Sequence, residues 1–202
     1  MIRVLGRRTS NNVQKVLWLL AEMNVPCRQE DYGGAFGGTD TPEYLRLNPN
    51  ATVPTLIDDS VVLWESNAIV RYLTRKHGSP LSPNAPAGQA LVEQWMDWQI
   101  ATLSPAFRPL YIALVREKQA VADLGDARKP AARMFSTLDQ AVSERPFISG
   151  NEMTLADIAI GPMIFRWFTL GLAGEDYPHL ARLLERLTAR PAFQQHVMIE
   201  LA

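Results

Sequence analysis

Apolar positions recur with two different periods along the chain, and the change of period divides it. Ile2 to Leu5 is a short β-rich run, Val13 to Met23 carries helical spacing through Val13, Val16, Leu17 and Leu20, and Cys27 to Tyr32 resumes an extended character after Pro26. This predicts a βαβ unit. Asp31 to Thr41, with Gly33, Gly34, Gly37 and Gly38, reads as a loop before a short helix over Pro42 to Leu47. Thr55 to Ile57 and Val61 to Leu63 flank Asp58, Asp59 and Ser60 as a tight hairpin, and Glu65 to Lys76 returns to helical spacing through Ile69, Tyr72 and Leu73. The order to this point is βαβαββα.

From Gly78 to Gly88 prolines, glycines and serines mark a linker, and beyond it the pattern is helical throughout. The segments are roughly Gly88 to Val115, Arg128 to Ser143, Leu155 to Leu170, His179 to Thr188 and a final turn from Pro191. The expectation is an α/β domain over residues 1–78, a linker over 79–87 and an all-helical domain over 88–202. The interface of two such domains is the natural place for a pocket.

With 20 basic and 21 acidic residues the net charge is −1, which lacks the electrostatic footprint of a nucleic-acid or anionic-membrane binder. The start MIRVLGRR lacks the apolar core of a signal peptide, so a soluble cytoplasmic protein is expected. Cys27 is the only cysteine, which excludes an intrachain disulfide or a Cys-rich zinc site and fits a reducing compartment. His77, His179 and His196 are far apart and show no metal spacing, so no metal is expected.

Four stretches carry candidate chemistry. In NATVPTLID, Pro54 stands where a strand begins, a position proline tolerates without further purpose. A cis bond there would instead turn the Val53 N–H and C=O out of the sheet toward an extended peptide. In WESNAIVRYL, Ser66 opens a helix whose unpaired N–H groups suit a carboxylate, and Glu65 beside it could hold an ammonium. One short corner would then match the zwitterionic end of an amino acid; the alternative is an ordinary N-cap with a first-turn charge. In RRTSNNVQKV, Asn11 or Asn12 can cap the helix, leaving Ser10 on the loop, where its hydroxyl could donate to a ligand thiolate; redundant capping is the alternative. In MTLADIAIGP, Thr154 and Asp157 have capping-box spacing, with Met153 and Ile158 as a hydrophobic staple, and the reading is structural.

Taken together, TSNNVQKVLWLL, LNPNATVPTLID, LWESNAIVRYL, MTLADIAIGP and the closing ARPAF resemble a glutathione transferase over essentially the whole chain. The resemblance implies a thioredoxin-like first domain with a cis proline and an all-helical second domain, usually in a homodimer. It implies that Val53 pairs its main chain with the cysteinyl backbone of glutathione beside Pro54, and that Glu65 and Ser66 hold the γ-glutamyl end. Ser10 falls where the theta and zeta classes carry a thiolate-activating serine, and Asn12 where nu-like bacterial enzymes carry an asparagine. The first loop has neither tyrosine nor cysteine, which argues against a tyrosine-class or a covalent omega-like mechanism.

The expected function is binding of glutathione as cosubstrate and attack of its thiolate on a small electrophile. Glutathione-dependent reduction of disulfides or peroxides is an alternative using the same first domain, and a non-catalytic binding module is an alternative of another class. Arg7, Phe107, Tyr111 and Trp167 are the residues expected at the electrophile's pocket, although a core role is the default for Phe107 and Tyr111 on the long first helix of the second domain.

Overall fold

The computed structural model describes residues 1–174 and 176–201. They divide into two compact units, Met1–Pro80 with Pro191–Glu200, and Leu81–Arg190 with Leu201.

In the first unit the strands β1 (Ile2–Leu5), β2 (Cys27–Glu30), β3 (Thr55–Asp58) and β4 (Val61–Trp64) form a sheet in the order β2-β1-β3-β4. β1 runs parallel to β2 and antiparallel to β3, and β4 is antiparallel to β3. The βαβ crossover supplies the parallel pair, and the Asp58–Val61 connection supplies the hairpin, with Asp59 at φ 53° in its turn. Helix α1 (Asn11–Glu22) buries eight successive residues, Val13 to Leu20, so it is covered on all sides rather than on one stripe. It packs against α3 (Ser66–His77) and against the closing helix α9 (Pro191–His196), where Trp18 meets Phe193 edge-on at 4.8 Å. The short α2 (Pro42–Leu47) starts at Thr41, whose hydroxyl accepts from the Tyr44 N–H. Gly78, left-handed at φ 64°, ends α3 behind Arg75 and Lys76, whose positive charges suit a helix C-terminus.

In the second unit the expected long first helix is interrupted. α4 (Pro86–Trp98) and α5 (Ser104–Tyr111) are joined through a π-helical turn over Gln99–Leu103, and a second π turn, Ile112–Arg116, follows. Pro105 has no N–H for the Ala101 carbonyl, so the wider turn ahead of it relieves the ring from crowding that carbonyl. α6 (Lys129–Ala141), α7 (Leu155–Thr169) and α8 (Pro178–Thr188) complete the unit. Its core is aromatic: Trp167 stacks on Phe135 at 4.2 Å and meets Phe107 and Tyr177 edge-on at 6.3 and 5.8 Å.

The capping box forms as its spacing requires. The Thr154 hydroxyl accepts from the Ala156 N–H, and the Asp157 carboxylate accepts from the Thr154 N–H at 2.9 Å and the Ile148 N–H at 3.0 Å. α7 then continues through Pro162 as a single element. The C-terminal end differs from expectation: the sequence reading assigned 88–202 to one domain, whereas Pro191–Glu200 belongs to the first unit, because Phe193 fills a place beside Trp18.

Candidate functional site

Strand register builds the site. Leu5 of β1 faces Thr55 of β3, which faces Trp64 of β4, and Leu5 also faces Glu30 of β2. The loop after Leu5, the Val53–Pro54 segment before Thr55 and the Glu65–Ser66 corner after Trp64 therefore leave the sheet at one edge. Three of the stretches distinguished by sequence meet there, with the N-termini of α1 and α3.

Gly6 draws the first loop onto the second. A Cβ on Gly6, at φ 152°, would lie 2.5 Å from Val13 Cγ2 and 2.9 Å from Val53 Cβ, so only glycine allows this approach. The Val53–Pro54 bond is cis, and neither the N–H nor the C=O of Val53 has a hydrogen-bond partner among the described residues. The segment is braced from behind. Tyr44 Oη donates to the Thr52 carbonyl at 2.6 Å and lies 2.9 Å from Thr55 Oγ1, while Asn48 Nδ2 donates to the same carbonyl at 2.9 Å and to Thr55 Oγ1 at 3.2 Å. Both braces are buried, and burial holds the Tyr44 hydroxyl above its usual pKa, fixing it as a donor. Unpaired peptide groups held rigidly on a loop are a template for an extended peptide.

Ser10 is itself the N-cap residue of α1, a correction to the expectation that Asn11 or Asn12 takes that place. Its backbone is extended (φ −71°, ψ 125°), and its carbonyl accepts from the Gln14 N–H at 2.9 Å. Its side chain makes no capping bond, and its hydroxyl has no partner among the described residues. A half-buried hydroxyl thus stands uncommitted at the positive end of a helix. Asn12 is exposed in the first turn of α1.

Ser66 is the first residue of α3, and Glu65 precedes it in a left-handed backbone conformation, φ 67° and ψ 109°. Ser66 is 3% exposed, and Glu65 is open to solvent. Behind this corner lies Lys15, fully buried in α1, whose Nζ donates to Ser66 Oγ at 3.4 Å and to Asn67 Oδ1 at 3.3 Å. A carboxylate at Ser66 would meet the N–H groups that open α3, at a residue whose hydroxyl already receives the Lys15 ammonium.

Arg7 is half-buried against the glycine loop, where a Cβ on Gly34 would come within 3.0 Å of its Cδ. Phe107 and Trp167, expected at the electrophile's pocket, belong to the aromatic core of the second unit, 3% and 0% exposed; Tyr111 is half-buried with the Arg166 guanidinium 5.6 Å from its ring centre. The Cys27 thiol is half-buried at the start of β2, and burial raises its pKa, which disfavours the nucleophilic thiolate. Among the described residues no group of three His, Cys, Asp or Glu side chains could hold a metal ion, and no helix is long and apolar enough to cross a membrane.

The glutathione S-transferase N-terminal domain family matches residues 1–75, and the glutathione S-transferase C-terminal domain family matches residues 91–191. This chain belongs to the glutathione S-transferase family. It is 40% identical over 208 residues to glutathione S-transferase GstB of Escherichia coli K12, covering the full length of both chains. A crystal structure of a theta class glutathione S-transferase from Xanthomonas axonopodis pv. citri with glutathione bound superposes with TM-score 0.94 at 42% identity, over 100% of this chain and 99% of that one. Glutathione transferase F2 of Populus trichocarpa, at 23% identity and TM-score 0.88 over 98% of both chains, shares the fold. The sheet unit is thus the thioredoxin-like domain of a glutathione S-transferase and the second unit its helical domain.

Sequence reasoning missed three supports of this candidate site, Tyr44, Asn48 and Lys15. Tyr44 and Asn48 left no motif, since their partners are main-chain and hydroxyl groups in a loop. Lys15 did leave a signal: it lies three and four residues before Trp18 and Leu19, on a face with no water, where a lysine requires polar partners.

Proposed function

We propose that this glutathione transferase holds glutathione along the shared sheet edge and activates its thiol with Ser10. In this reading the cysteinyl backbone pairs with the Val53 N–H and C=O beside the cis proline. The γ-glutamyl carboxylate meets Ser66 and the start of α3, and its ammonium meets Glu65. The uncommitted Ser10 hydroxyl at the start of α1 is the observation that carries the assignment.

Energetics support it. A free thiol has pKa about 8.5, so holding it mostly as thiolate at neutral pH needs a shift of roughly two units, or about 2.7 kcal/mol. A hydrogen bond to a charged group contributes about 1.5–3 kcal/mol and a helix N-terminus about 0.3–1 kcal/mol. Ser10 and α1 together suffice without a metal. The thiol proton leaves to solvent, the thiolate sulfur bonds to the electrophilic atom, and the leaving group departs with the bonding pair. The protein's contribution is a nucleophile activated and held in place. Asn12, exposed one turn into α1, is proposed as a second polar group near the thiol.

The test separates the two ends of the ligand. Ser10→Ala lowers kcat with little change in glutathione affinity, whereas Ser66→Ala raises the glutathione KM and leaves the bound thiol's pKa unchanged. Equal affinity in Ser66→Ala would remove the carboxylate assignment. A thiol-dependent reaction and a single cysteine suit the cytoplasm, and the family's dimeric habit is proposed for this chain as well.

A further inference from the structure

Lys15 is buried in α1, yet its ammonium reaches the one hydroxyl proposed to receive a carboxylate. A serine hydroxyl offers one donor and two acceptor positions. Lys15 Nζ donates to Ser66 Oγ at 3.4 Å, and an ammonium can only donate, so this contact occupies an acceptor position and leaves the Ser66 O–H to point elsewhere. The same ammonium donates to Asn67 Oδ1 at 3.3 Å, which fixes the second residue of α3 along with the first. Lys15 has no exposed surface and Ser66 keeps 3% of its own, so both act in a nearly dry setting where water screens little.

We propose that Lys15 is a positioning residue for glutathione. From beneath the start of α3 it sets Ser66 as a donor toward the γ-glutamyl carboxylate and places a positive charge behind it. The inference rests on the reading of Ser66 as the carboxylate site. Lys15 lies within the protein and touches Ser66 and Asn67, so its action on the ligand passes through them. Its effect is confined to ligands that carry that carboxylate, because the thiolate site at Ser10 is a separate part of the edge.

The test measures affinities of the full chain for glutathione and for 4-aminobutyryl-cysteinylglycine, which lacks only the γ-glutamyl carboxylate, in wild type, Lys15→Met and Lys15→Arg. Wild type is expected to prefer glutathione strongly. Lys15→Met is expected to reduce that preference about tenfold while leaving analogue affinity and the bound thiol's pKa unchanged, and Lys15→Arg to restore most of it. Should Lys15→Met not fold, Lys15→Gln, which keeps a donor but no charge, provides the same comparison. An unchanged preference in the uncharged variant overturns the inference, since a purely structural lysine would weaken both ligands alike. If wild type does not distinguish the two ligands, the Ser66 carboxylate assignment fails first and the role of Lys15 falls with it.

Discussion

Replacing Glu65 by glycine should make the protein more stable and worse at holding glutathione. Glu65 has φ 67° and ψ 109°, outside both the right-handed and the ordinary left-handed helical regions, a conformation that an L-residue occupies only under constraint. Such residues cost about 1–3 kcal/mol. Glycine removes that cost and adds about 0.5–1 kcal/mol of unfolded-chain entropy, for a mid-range net gain of about 1 kcal/mol, or roughly 2–4 °C in Tm for a chain of this length. Alanine retains the strain and lacks the carboxylate, and since the side chain is exposed, its stability should match wild type. Both variants lose the proposed partner of the γ-glutamyl ammonium, worth about 1 kcal/mol or roughly fivefold in affinity. Thermal unfolding and glutathione titration on wild type, Glu65→Gly and Glu65→Ala make the comparison. Equal stability of the two variants would refute the strain, and wild-type affinity in both would refute the ammonium contact.

Other consequences follow from single contacts. Burial pushes the Asp157 carboxyl up to about 6, above the 3.8 of an ordinary Asp, so the folded state binds its proton more tightly than the unfolded state. Its contribution to stability is full below about pH 4 and falls by about 3 kcal/mol as pH rises through 4 to 6. Denaturant unfolding of wild type and Asp157→Asn across that range should show this slope in wild type alone; parallel curves would contradict it. Tyr44→Phe removes the 2.6 Å bond to the Thr52 carbonyl while Asn48 keeps its own, so stability should fall by about 1 kcal/mol and glutathione KM should rise severalfold, measured by unfolding and steady-state kinetics. Light scattering should give a mass twice 22.6 kDa, with a single-chain mass counting against the dimer.

The fold was legible because its elements are short and sharply punctuated. Pro26, the glycines of 33–38 and the Asp58–Ser60 turn bound β2, the loop and the hairpin, and the two hydrophobic periods separate the sheet unit from the helices. The last helix was misassigned because local pattern says nothing about which core Phe193 enters, and only its contact with Trp18 decides. The interruption of the long helix was carried by Pro105, which propensity alone would have flagged as a break rather than a widened turn. At the candidate site, Val53, Pro54, Glu65 and Ser66 stand out through backbone chemistry: a proline at a strand start and a polar pair at a helix start. The shared edge that joins them depends on the register Leu5–Thr55–Trp64, a long-range pairing invisible to local reading. Phe107 and Trp167 show the opposite failure, since an aromatic at helical spacing looks the same whether it lines a pocket or, as here, fills a core.

In the proposed mechanism Ser10 and the start of α1 hold glutathione as its thiolate. Ultraviolet titration of the glutathione thiolate with pH, in the presence of excess wild-type or Ser10→Ala protein, tests it directly. The bound thiol is expected to titrate about two units below its free value near 8.5 in wild type, and to return at least one unit toward that value in Ser10→Ala. A wild-type thiol that binds yet titrates at its free value, or a lowered value that survives Ser10→Ala unchanged, would contradict it.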